Sequence, residues 1–226
     1  MSNGPGTTTS REEEIAFLVV EAVLGVGIRL ADADGGNKTP DGIWEYRGPV
    51  AKRGVIEVTS PPDTSLMGKW ARARRAGAPQ SESGSVPVRW NELGEFCTLM
   101  LREPWACENV EKLTAYPADE RHLFLFGRSN RVGDYFNRLS DTYDGDITEQ
   151  VDDLVLPEGV TDVWFRGRAR RSRESHGEEI RVARFQRSVG WQRHSVLIDE
   201  QALPSPSLSD DTAASGSRRP KRRTAN

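Results

Sequence analysis

Two short segments carry the side chains best suited to chemistry. The first is Lys38-Thr39-Pro40-Asp41-Gly42-Ile43-Trp44-Glu45-Tyr46, and the second is Gly54-Val55-Ile56-Glu57-Val58-Thr59-Ser60. Asp41 stands at the head of the first, and Glu57 follows sixteen residues later with Thr59 two positions beyond. Strand side chains alternate between faces, so Val55, Glu57 and Thr59 share one face while Ile56 and Val58 pack behind. If the two segments pair as a hairpin, the carboxylates of Asp41 and Glu57 converge. Converging carboxylates hold a hard cation such as Mg²⁺ through oxygen, leave it most of its waters, and let it acidify one of them. The same residues satisfy a plainer reading. Pro-Asp-Gly is a turn sequence by its own backbone physics, Thr is a good strand residue, and a glutamate on an edge strand needs no metal.

A Pro-Asp step, a hairpin and then acid-x-Lys is the signature of the PD-(D/E)XK nuclease-like superfamily, which this stretch resembles. Asp41 matches the first acid and Glu57 the second, but the lysine position is Thr59. Asn109-Val110-Glu111-Lys112-Leu113 and Glu120-Arg121-His122-Leu123-Phe124 also resemble the helix and strand of an uncharacterised group of actinobacterial proteins. That likeness spans roughly residues 11–200. It implies a restriction-endonuclease-like core, a mixed central β-sheet flanked by helices, and a Mg²⁺ site at Asp41 and Glu57. It also implies phosphodiester hydrolysis on nucleic acid, with Thr59 covering only part of the lysine's work. Members of the superfamily can bring the lysine from another element, for which Lys69 is the first candidate and Lys112 the second. Either is equally readable as a surface lysine. An acid from the first helix often joins such sites, and Glu21 is the better placed of Glu14 and Glu21; its plain reading is a solvent-facing glutamate. The alternative function is a catalytically inactive module of the same fold that binds nucleic acid or a protein partner.

The elements that must position these residues are readable from periodicity. Ser10-Arg11-Glu12-Glu13 is a capping box, and Ile15, Leu18, Val19, Ala22, Val23 and Val26 follow helical spacing until Gly25 and Gly27 end the helix. Segments 27–32, 42–46 and 54–60 read as an antiparallel meander. Helices are expected over 64–76, 92–102, 108–116 and 132–139. Strands are expected over 86–90, 121–126, 160–166, 179–185 and 190–197. A starting helix, a meander and strands split by helices make an α/β fold.

The 226 residues suit one domain at 10–200, with tails at 1–9 and 201–226 expected to be disordered. Neither an apolar run of membrane length nor a secretion signal is visible, and two cysteines fit a reducing compartment, so the expectation is cytoplasmic. The net charge of −3 hides two basic stretches. Arg166, Arg168, Arg170, Arg171, Arg184 and Arg193 belong to the internal one, and residues 218–223 to the other. Arginine forks onto phosphate, so the internal stretch is a candidate nucleic-acid footprint; a solvated loop is the alternative. His122 at the start of a buried strand reads as a hydrogen-bonded structural histidine or an acid-base group. His194 reads with Trp191 and Arg193 as a strand face, on which Trp191 either stacks on a base or covers the core. The Asp141, Asp144, Asp146 cluster lacks EF-hand spacing and reads as an acidic turn.

Overall fold

The computed structural model describes residues 9–31, 39–48, 51–62, 72, 75–77, 92–140, 151–152, 154–167, 177–199 and 203. The expected strand at 86–90, the Asp141–Asp146 turn and nearly all of the 64–76 helix lie outside them. So do the tails, apart from Thr9 and Leu203.

The first helix, α1 (Arg11–Leu24), starts where the capping box places it: Glu13 N–H donates to Ser10 Oγ at 3.2 Å, and Ser10 N–H donates to Glu13 Oε2 at 2.8 Å. Gly25 closes it in the left-handed region (φ 68°) and donates to Glu21 O, a geometry that favours glycine. The chain continues through β1 (Arg29–Leu30), β2 (Gly42–Glu45), β3 (Arg53–Thr59), α2 (Leu93–Met100), α3 (Pro104–Ala115) and β4 (Glu120–Phe126). It ends with α4 (Asn130–Ser140), β5 (Asp162–Arg166), β6 (Gly177–Gln186) and β7 (Gly190–Asp199).

All seven strands form one mixed sheet in sequence order. β1, β2 and β3 are antiparallel, β3, β4 and β5 run parallel, and β6 and β7 return antiparallel. The parallel steps need crossovers, which α2 and α3 supply before β4, and α4 before β5. Two right-handed crossovers in one direction put their helices on the same face. Accordingly Leu93 and Cys97 of α2, Leu113 of α3 and Phe136 of α4 pack with Val55, Leu123, Leu125, Val163 and Phe165 in one cluster. Ile15, Phe17 and Val20 of α1 cover the other face with Trp44, Ile56, Phe124, Trp164 and Ile198. Each interior strand is buried on both sides, which is why β4 reads Leu-Phe-Leu-Phe without polar alternation. Leu203 packs into the α1-side cluster.

Gly54 shows how closely the meander is packed. A Cβ there would stand 2.1 Å from the Trp44 ring, so only glycine lets β3 pass beneath it.

Candidate active site

The β2–β3 register sets the site. Gly42 pairs with Ile56, so Asp41, one step before the ladder, arrives beside Glu57. Asp41 Oδ2 accepts the Val58 N–H at 2.7 Å, and the Asp41 backbone amide favours the charged form of the neighbouring Glu57 carboxyl. The Val58 bond ties the Asp41 side chain to the residue that follows Glu57. Glu57 follows Val55 on the face that α2–α4 cover, and its side chain is almost wholly buried.

α3 brings the cation. Pro104 sits at the first helical turn, where a missing N–H costs nothing, and Leu113 anchors the helix in the core. Asn109 and Lys112, three residues apart, therefore lie on one face of α3. Lys112 Nζ donates to Glu57 Oε1 at 2.7 Å. Asn109 Nδ2 donates to Trp105 O at 2.7 Å and reaches Thr59 Oγ1 at 3.4 Å.

The electrostatics follow from packing acids together. Burial, then the charge of Glu57, pushes the Asp41 carboxyl up to about 7. Burial also raises Glu57, against the opposing pull of Lys112. Burial alone would lower the Lys112 ammonium, but the hydrogen bond and charge of Glu57 outweigh it and hold it above its ordinary value. Glu57 Oε2 is buried and takes no hydrogen bond among the described residues. A crowded pair of carboxylates with an uncompensated oxygen fits a hard cation. Among the described residues no group of three or more His, Cys, Asp or Glu side chains is placed to hold a metal, so Mg²⁺ here would rest on Asp41, Glu57 and its own waters.

The remaining sequence candidates fall in several places. Lys69, Arg168, Arg170 and Arg171 lie outside the described residues. Glu21 is buried and its Oε1 accepts the Ile28 N–H at 2.7 Å, tying the end of α1 to the approach to β1. Glu13 is the α1 acid whose negative charge raises both Asp41 and Glu57. From the sequence Glu13 reads as a capping residue, and the three carboxylates opening α1 are the signal of its further role. Arg184 is buried, with Nε 2.8 Å and a terminal nitrogen 2.6 Å from Asp162 Oδ1. Arg166 is buried over the Phe126 ring, and Arg193 Nε donates to Leu139 O at the end of α4. These three arginines have internal work. Trp191 is buried and donates to Asp152 O, covering the core.

His122 belongs to a separate cluster on the α1 face, two residues before Phe124. Trp164 Nε1–H donates to its Nδ1 at 3.1 Å, while Nε2 lies 3.1 Å from Asp162 Oδ2 without a hydrogen bond between them. With no exposed surface, His122 is a structural group. His194 lies 5.8 Å from the Trp164 ring, and burial, then the nearby Arg184 charge, lowers its pKa.

No protein-family model, curated protein or solved structure matches this chain.

Proposed function

We propose that the chain is a metal-dependent phosphodiester hydrolase acting on nucleic acid, built on a restriction-endonuclease-like core. One observation carries this reading: β2, β3 and α3 converge to put Asp41, Glu57 and Lys112 in one partly open cluster. The element order supports it. The resemblance implies a helix, a hairpin-rich sheet, a helix and then further strands, and the chain runs from α1 through an antiparallel meander and two helices, α2 and α3, to a strand parallel to β3. The cluster also lies toward the carboxyl end of the parallel strands, where open α/β sheets usually bind ligands.

In this reading Asp41 and Glu57 are the ligands, and Mg²⁺ supplies charge and a lowered pKa for the attacking water. Lys112 takes the place of the lysine that β3 lacks. It balances Glu57 while the site is empty, and its remaining N–H groups face an incoming phosphate. Glu13 adds negative charge that favours cation capture. Phe165 of β5 lies two strands from Thr59 by register, about 10 Å away, and Arg168, Arg170 and Arg171 follow it in the sequence. These arginines are proposed to contact the nucleic-acid backbone.

The inactive-module reading is favoured by a different fact: Glu57 Oε1, an oxygen the cation would use, is already paired with Lys112. A cleavage assay on several nucleic acids separates the two. Cutting that requires Mg²⁺ or Mn²⁺ and is abolished by Glu57→Gln, with the fold intact, supports the enzyme. Equal cutting in EDTA ends the metal reading. No cutting under any metal leaves the binding module.

A further inference from the structure

At the position where the resemblance expects a lysine, the chain carries Thr59, an uncharged hydroxyl on the same strand face as Glu57. Its orientation is set from α3. The Trp105 carbonyl only accepts, so the Asn109 group facing it at 2.7 Å must be the amide nitrogen and not the amide oxygen. That nitrogen carries two hydrogens, and the second faces Thr59 Oγ1 at 3.4 Å. The distance is long, so this contact is weak in the unliganded site. Because Asn109 can only donate there, the Thr59 oxygen accepts, and its single proton is left for a third group. Among the described residues no acceptor takes that proton. Lys112, three residues along the same helix face, bonds Glu57 with one N–H and has two more.

We propose that Asn109 is a positioning residue: it turns the Thr59 O–H toward the mouth of the Asp41–Glu57 cluster, where Thr59 and Lys112 together donate to one anionic oxygen of a phosphate group. This rests on the phosphodiester reading of the site. It divides the missing lysine's work between two residues, with charge coming from Lys112 and a directed hydrogen bond from Thr59. Asn109 matters only through Thr59, so its loss and the loss of the Thr59 hydroxyl should not add.

The test uses the full chain with inorganic phosphate and Mg²⁺, followed through the backbone NMR signals of Thr59 and Lys112. Thr59→Ser keeps a hydroxyl and should bind phosphate as wild type does. Thr59→Val is nearly isosteric without the hydroxyl. Asn109→Leu removes the donor without adding charge, so nothing holds the Thr59 oxygen and its O–H is free to rotate. Each of these two should weaken phosphate binding by about 10-fold, the scale of one hydrogen bond. The double variant should be no worse than either. Thermal unfolding of every variant checks that the fold persists, and Thr59→Ser controls for strand packing. Additive losses, a Thr59→Ser as weak as Thr59→Val, or no phosphate-dependent shift in wild type would each overturn the proposal. Oligonucleotide cleavage by the same variants separates it from the enzyme reading. Phosphate coupling without cleavage keeps Asn109's role and discards the hydrolase. Cleavage equal in all variants keeps the hydrolase and discards Asn109's role.

Discussion

Asp41 is the residue whose protonation most directly reports the site. Its carboxyl is raised from an ordinary value of 3.8 to about 7, by burial first and the Glu57 charge second. A group whose folded pKa is raised contributes stability that is complete below its unfolded pKa and is lost as pH rises through the folded one. Without metal, the chain should therefore lose stability between about pH 4 and pH 7 through this group. Asp41→Asn should flatten that part of the profile. Urea midpoints for both proteins in EDTA, taken across the window, check it; parallel profiles would mean that the Asp41 carboxyl is not raised in the folded chain. Lys112 gives a second prediction at this scale. It already holds Glu57 at 2.7 Å, so Thr59→Lys should add a redundant amine and remove the hydroxyl. Cleavage by Thr59→Lys should be unchanged or reduced. A gain in rate would show that Lys112 does not fill the lysine's place.

The site is only as precise as the elements that deliver it, and these were unequally legible. The capping box at Ser10, the β-meander and the apolar strand at 121–126 stand where periodicity puts them, because each has a strong local cause. The helix expected over 108–116 in fact begins at Pro104. Trp105-Ala106-Cys107 shows no apolar period, and the start is set by proline's tolerance at the first turn. Asp41 and Glu57 were legible as a pair because a hairpin has few registers. Which lysine joins them was not, since the approach of α3 to β3 depends on nonlocal packing of Leu113 with the sheet. This makes Leu113 an element-scale test. Leu113→Ala empties a fully buried site and should cost about 2–5 kcal/mol. It should also free Lys112 from Glu57, so any metal-dependent activity should fall more than the remaining folded fraction explains. Denaturant unfolding and single-turnover rates on the same samples measure both effects.

Across the whole molecule the sheet separates two polar clusters by face. Asp41, Glu57, Thr59, Asn109 and Lys112 lie on the side covered by α2–α4. His122, Asp162 and Arg184 lie on the α1 side, following the alternation through Phe124, Trp164 and Val182. In the second cluster His122 accepts from Trp164 and faces Asp162, while Arg184 bonds Asp162 and stacks 4.9 Å over the Trp164 ring. Desolvation opposes the Asp162 charge, but His122 and Arg184 together hold its pKa below the ordinary value. The stability Asp162 contributes is present above about pH 4 and is lost as pH falls through its depressed pKa, the opposite sign to Asp41. Asp162→Asn leaves the Arg184 charge buried without its carboxylate, a change of the kind that costs about 3–5 kcal/mol. The division by face then predicts a dissociation of effects. Asp162→Asn should lower the melting temperature sharply, yet leave phosphate affinity and any Mg²⁺-dependent cleavage of the folded protein near wild type. Glu57→Gln should do the reverse, because it relieves a crowded acid pair while removing a ligand charge. Melting curves and phosphate titrations on the two variants decide the matter. If Asp162→Asn abolished phosphate binding while the chain stayed folded, the clusters would be coupled through the sheet, and the buried histidine network would have to be counted as part of the site.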